Sequence, residues 1–323
     1  MKKSITILAF AFGITGAFAQ DLTSKKGEPI LPEAGDWAIG IDATPFLNYA
    51  GNFFGKTTNN NAPTFNFFTN NLTITGKYFE EATTAYRGTL RIGFNNNNTR
   101  EMVANRMFTA PSPTANGFPT AAPMVENSWK TSGLNIGLSA GIEKRKGKTR
   151  LQGFYGGEVG ISLSTKKDVF EYGNTLAVVS TPPVPNQAQS VDVDAADAFG
   201  GALNVVAANT VFQSGAGAGV DARITERKNP TTFSFGVRGF IGAEYFVLPK
   251  LSIGGEFGWG LGLTTTGASE TTYETVGNKG GGVLDEVGSV TIEGAKQGGF
   301  SLDTDNKGSI WGPTGTLRLM LHF

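Results

Sequence analysis

The sequence predicts an all-β protein: an eight-stranded antiparallel transmembrane β-barrel with short periplasmic turns and four long extracellular loops. Three observations carry that expectation. They are an export leader, eight segments that alternate apolar and polar residues with period two, and connections that alternate between short and very long. Composition narrows what such a chain can do. Its 323 residues hold 45 glycines, no cysteine and one histidine, with Lys+Arg and Asp+Glu both 27. Balanced charge offers no basic surface for nucleic acid. Without cysteine there is no disulfide framework or thiolate metal site, and a lone histidine leaves little for histidine catalysis or metal binding. The chain therefore reads as non-enzymatic, with no catalytic, metal or cofactor residue assigned.

Lys2 and Lys3 precede the apolar run Ile5–Ala17, and Ala17-Phe18-Ala19 fits a small-x-small cleavage site. Residues 1–19 are the expected signal peptide, since the run is too short to span a bilayer. Residues 20–36 read as a short periplasmic segment and 37–323 as the barrel. No later stretch suits a spanning helix, so membrane residence would have to use strands.

The eight alternating segments are Trp37–Asn48, Leu72–Phe79, Thr84–Phe94, Thr131–Glu143, Leu151–Thr165, Thr232–Val247, Leu251–Thr265 and Trp311–Phe323. Each has one apolar face: Leu134, Ile136, Leu138, Ala140 and Ile142 form it in the fourth, and Leu317, Leu319, Leu321 and Phe323 in the last. Three connections are short, Glu80–Thr83, Lys144–Arg150 and Leu248–Lys250. The other four, 49–71, 95–130, 166–231 and 266–310, run to 23, 36, 66 and 45 residues. Loops of that length are unusual in compact soluble domains. An outer-membrane barrel accommodates them on one rim, and an even strand number brings both chain ends to the other.

The second face of these segments decides which side meets lipid. It carries Asp42, Lys77, Arg87, Arg91, Glu143, Glu158, Arg238, Glu244, Glu256 and Arg318, five acids and five bases. A soluble sheet would need a second layer over its apolar face, and no amphipathic helix is available to supply one. Lipid would cover that face without further protein. Eight strands enclose a space that side chains can fill, and equal numbers of both signs suit a lumen closed by ion pairs. Aromatic residues mark the expected interfaces: Trp37, Tyr78, Tyr86 and Tyr245 near the short turns, and Phe94 and Trp311 near the long loops, with Trp259 deeper on that half.

Particular runs then resemble the small outer-membrane β-barrel family, of which the OmpA-type eight-stranded membrane domain is the familiar architecture. They are Gly242-Ala243-Glu244-Tyr245-Phe246, the turn Leu248-Pro249-Lys250 and the answering strand Leu251–Gly258. The hairpin from Thr75-Gly76-Lys77-Tyr78-Phe79 to Ala85-Tyr86-Arg87-Gly88 belongs with them, as does the final Thr316–Phe323. The resemblance implies a place in the cell outer membrane of a Gram-negative bacterium, contact with outer-membrane lipid, and recognition of the terminal Phe323 by the barrel-assembly machinery. Other outer-membrane proteins are expected partners. Nothing after Phe323 corresponds to the periplasmic peptidoglycan-binding domain of OmpA-type proteins, so wall anchoring is not expected.

Other motifs read more plainly. His322 alternates onto the charged face and suits a polar filler at the periplasmic mouth. Asp303–Gly308 begins like a calcium loop, but Lys307 stands where an oxygen ligand belongs and Thr314 where the bidentate Glu belongs. Asp192, Asp194 and Asp197 read as a solvated acidic loop, and Lys144, Arg145, Lys146, Lys148 and Arg150 as an ordinary charged turn that blocks aggregation, the alternative being contact with anionic inner-leaflet headgroups. The apolar stretch 194–212 is a candidate docking surface or inward-folded plug. The leading expectation is a non-enzymatic barrel with a closed lumen, presenting its loops for surface interaction or as a subunit of a larger outer-membrane complex. The alternatives are a passive channel for a small solute or hydrophobic compound, a barrel enzyme depending on His322, and a soluble β-sandwich.

Overall fold

Strict alternation of side chains along an extended chain sends every second residue to the same face of a sheet. The alternating segments of this chain pair antiparallel on that basis. The computed structural model describes residues 22–55, 74–105, 108, 121, 123–174, 176, 205–207, 221–277, 286–303 and 316–323. Among these residues the strands are β1 (Trp37–Asp42), β2 (Ile74–Glu81), β3 (Thr84–Ala104), β4 (Met124–Lys146), β5 (Leu151–Glu171), β6 (Val205–Ala207) and β7 (Asp221–Lys228). They continue with β8 (Thr232–Leu248), β9 (Leu251–Thr266), β10 (Glu270–Gly277), β11 (Glu286–Glu293), β12 (Gln297–Asp303) and β13 (Thr316–His322), and one helix, α1 (Thr44–Phe54), follows β1.

The protein is all-β in character, and its antiparallel sheet bonds in a ring through eight strands. In order around the ring they are β1, β2, β3, β4, β5, β8, β9 and β13, and β13 returns to β1. One row of facing residues runs from Ile253 through Leu319, Ile41, Ile74, Leu90, Leu138, Ile161 and Phe235 to Leu263. It leaves β9 at Ile253 and comes back ten residues further on, at Leu263. That stagger is the shear with which a closed sheet inclines its strands.

Thirteen strands is more than the eight segments predicted, but register reduces most of the excess. Thr232 faces Thr266 across β8 and β9, and Lys228 faces Glu270 across β7 and β10. Thr266 likewise faces Gln297, and Glu270 faces Glu293. Across each interruption the two chains advance equally. Hence β7–β8, β9–β10 and β11–β12 are each one long strand interrupted for three residues. The β3–β4 pairing also continues without a slip to Ala104 opposite Met124.

Much of the expected loops is therefore strand that projects beyond the ring. Residues 95–104 and 124–130 extend one hairpin, 166–171 extends β5, and β6, β7, β10, β11 and β12 occupy parts of 166–231 and 266–310. The projecting part has its own small core, in which Trp129 stacks on Phe170 at 5.8 Å beside Ile224, Tyr172 and Tyr273.

The segment expected to continue the first strand to Asn48 turns into α1 after Asp42. Pro45 lies in the first turn of α1, where its missing N–H is no loss, whereas within a strand it would break the ladder. The basic turn also begins later than expected, because β4 continues to Lys146 and Gly147 makes the bend at φ 134°. Residues 1–21, Trp311, the 304–308 part of the calcium-like run, Asp192, Asp194 and Asp197 lie outside the described residues, as does most of 194–212.

Candidate functional site: the interior of the ring

The inward residues of the ring divide into two tiers. Toward the short-turn rim they are large, charged or aromatic. Toward the projecting strands they are almost all glycine, serine, threonine or asparagine.

The lower tier is a continuous ionic network. Lys77 Nζ donates to Glu143 at 2.9 Å and lies 3.7 Å from Glu244. Arg145, on the next inward position after Glu143, donates to Glu143 at 3.3 Å, Glu244 at 2.6 Å and Gln152 at 3.0 Å. Arg87 lies 2.7 Å from Glu256, 3.2 Å from Glu158 and 3.7 Å from Glu143. Arg238 bridges Glu158 and Glu256 at 2.7 Å each, and Arg318 reaches Glu256 at 3.1 Å. All of these carboxylates and all these cations but Arg318 are buried. In so dry a space each charge must be matched and hydrogen-bonded, and the shared carboxylates meet that need.

Aromatic rings fill the gaps between the charges. The Arg87 guanidinium lies 4.0 Å from the centroid of Phe240, Lys77 lies 4.9 Å from that of Phe154, and Arg145 lies between Phe79 and Phe246. These rings share the charged face by period two, a placement not assigned to them from the sequence. Glycines make room for them: a Cβ on Gly156 would come within 2.6 Å of Phe240, and one on Gly258 within 2.6 Å of the Arg238 guanidinium.

His322 closes this tier at the rim, between Phe79 and Phe246. Its Nε2 lies 3.0 Å from Ser252 Oγ and 3.2 Å from Glu244 Oε1, while Ser252 also bonds Glu244. A hydrolytic relay needs nucleophile and acid on opposite ring nitrogens. Here both meet Nε2, and Nδ1 is buried without a partner.

The upper tier is a cup that holds a small, partly open cavity. Thr89, Asn135, Ser139, Ser162 and Thr232 line its walls, Arg91 enters from β3, and Glu158 and Arg318 lie at its floor.

Nine of the ten charged residues expected inside thus have described side chains. Eight join one network, and Arg91 lies above it in the cup. Asp42 ends β1 opposite Arg318 in register, where only its backbone is described. Arg145 was missed because it was assigned to a turn. Its alternation with Glu143 was the signal.

On the outer face, Trp37, Tyr78, Tyr86, Tyr245, Phe94 and Trp259 are all exposed, as is Phe323. Phe323 exchanges backbone hydrogen bonds with Trp37 at 2.8 and 2.9 Å. Among the described residues no three His, Asp or Glu side chains gather as metal ligands. No protein-family model, curated protein or solved structure matches the chain.

Proposed function

We propose that this protein is an eight-stranded β-barrel of the small outer-membrane kind, plugged in its periplasmic half, that holds a β-rich lobe at the cell surface without conducting or catalysing. The observation that carries this reading is the inverted dress of the ring. Leu138, Ile161, Phe235 and Leu263 are each more than 40% exposed on the outside, while buried charges fill the inside. A soluble ring would expose the reverse.

Eight strands with a stagger of ten incline at about 40° and enclose a radius of roughly 8 Å, within the range of membrane barrels. Each residue then climbs about 2.5 Å, so the apolar face from Leu251 to Leu263 covers about 30 Å, the thickness of a hydrocarbon core. On the same geometry Trp37, Tyr78, Tyr86, Tyr155 and Tyr245 lie within about 8 Å in height, as an interfacial girdle would. Trp259 and Phe94 fall in the opposite half. Outer-membrane lipid would surround the belt, and the projecting strands would meet the medium or a partner in a larger outer-membrane complex.

Single-tryptophan variants in vesicles of brominated phospholipid test this reading. Trp37 and Trp259 are expected to be quenched by bromines at different depths, with Trp129 unaffected. Absence of quenching at both Trp37 and Trp259 would place the apolar face outside lipid and end the proposal.

A further inference from the structure

The outer face of the ring changes character where β4 nears its short turn. Leu134, Ile136, Leu138, Ala140 and Ile142 occupy that face, and the next residues on it are Lys144 and Lys146, both exposed. Glu143 and Arg145, which alternate with them, are buried in the ionic tier. The strand therefore holds both lysines on the outside of the ring, beneath an apolar column. Lys144 faces Tyr155 across β4 and β5, at the level of the tyrosines near the short turns. Among the described residues the outside of the strands holds no other cation near that level. Trp37, Tyr78, Glu80, Tyr245 and Leu321 occupy it elsewhere.

These two charges are not matched within the chain. Lys144 Nζ donates to Thr84 Oγ1 at 2.7 Å, and Lys146 Nζ lies 5.9 Å from the centroid of the Tyr155 ring. Neither has an ion-pair partner among the described residues. Lysines of the projecting part differ. Lys130, on the same face of β4, reaches Glu171 at 2.7 Å, Lys167 reaches Glu226 at 2.8 Å, and Lys228 reaches Glu270 at 2.7 Å. An ammonium carries more donors than one hydroxyl uses, so Lys144 and Lys146 keep donors for an outside acceptor. From the turn upward the order is ammonium, tyrosine ring and aliphatic side chain. A phospholipid presents phosphate, ester and acyl chain in that same order.

We infer that Lys144, Lys146 and Tyr155 form a binding site for an anionic phospholipid. The two ammonium groups hold its phosphate, and its acyl chains lie along Ile142 and Val159, both exposed above them. This rests on the membrane reading proposed above and adds a headgroup class and a place on the ring to it.

Two single-tryptophan variants in vesicles test the inference. Tyr155→Trp, in a chain whose own tryptophans are replaced, puts a reporter at the site. The variant that keeps only Trp37 reports the opposite side of the ring at a similar height. In phosphatidylcholine vesicles with a minority of brominated phosphatidylglycerol, the reporter at the site should be quenched more than Trp37. The difference should correspond to a preference of about fivefold or more for the anionic lipid, the worth of roughly one basic residue at a charged surface. Lys144→Gln with Lys146→Gln should abolish that preference, and Lys144→Arg with Lys146→Arg should keep it. Glycerol 3-phosphate, which lacks acyl chains, should not relieve the quenching. Equal quenching at the two positions, a preference that survives the double glutamine change, or relief by glycerol 3-phosphate would each overturn the inference and leave the membrane reading standing. Brominated phosphatidylcholine should quench both positions alike, and its failure to quench either would end both ideas.

Discussion

Arg87 and Glu256, 169 residues apart in sequence, meet through two prongs at the centre of the ring, Nη1 to Oε2 at 2.7 Å and Nη2 to Oε1 at 3.2 Å. Glu256 also takes Arg238 and Arg318, so one carboxylate neutralises part of three guanidinium groups. Glu256→Gln keeps the shape and removes the charge. Leaving buried cations unmatched costs about 3–5 kcal/mol, and most of the loss should appear as faster unfolding in denaturant. A double-mutant cycle with Arg238→Met should show strong coupling, since the second change removes a cation that the first leaves unmatched.

The two tiers predict opposite responses to the same substitution. At Gly156 an added methyl would press against the Phe240 ring and the backbone of β4, so Gly156→Ala should destabilise the fold by roughly 1–3 kcal/mol, as overpacking does. At Gly137 the same methyl meets ordinary contacts, and Gly137→Ala should be neutral or slightly stabilising. Thermal unfolding of the two variants side by side measures the difference. Equal effects would mean that the cup is as tightly packed as the plug.

The ring was legible in the sequence because each of its strands has one greasy and one charged face, a pattern that physics leaves few ways to satisfy. The projecting strands were not, because beyond the ring the alternation of apolar and polar residues fades: Asn95 to Asn98 read as loop punctuation yet lie in β3, paired with Lys130 to Gly133. Pro45 was the overlooked sign that the first strand ends early. The carboxylates and most bases of the interior could be named from alternation alone. Their partners could not, since pairs such as Arg145 with Glu244 depend on the closure of distant strands.

The projecting lobe should respond to acid before the ring does. Its attachment through β7 rests on three facing pairs, Lys167 to Val169 against Glu226 to Lys228, and on the ion pairs across them. The hydrogen bond from Lys167, at 2.8 Å, holds the Glu226 carboxyl below its ordinary 4.5. Those from Lys130 and Ser128 do the same for Glu171. A carboxyl with a depressed folded-state value adds stability above its unfolded value and loses it as pH falls through the folded one. Between neutrality and pH values below 4.5, amide exchange should therefore quicken in β7 and β10 while β8 and β9 stay protected. Simultaneous loss of protection in both regions would show that the lobe has no independent acid sensitivity.

The lower tier also sets an electrical expectation. Between the cup and the short-turn rim, any ion would have to pass Arg145, which bonds Glu143, Glu244 and Gln152 and lies between the rings of Phe79 and Phe246. Wild-type protein in a planar bilayer should therefore carry no steady current. Arg145→Ala removes the cation that draws these groups together and leaves Lys77 as the remaining full-time cation on Glu143 and Glu244 apart from Arg87, 3.7 Å from Glu143. Water should enter beside the two carboxylates, and brief cation-selective openings should follow, lengthening when Phe246→Ala is added. Their selectivity is the informative part: carboxylates freed of Arg145 attract cations, whereas a ring that had merely unfolded would leak without preference. A steady wild-type current, or openings in the variants that favour anions, would show that the ionic and aromatic tier is not what closes the ring.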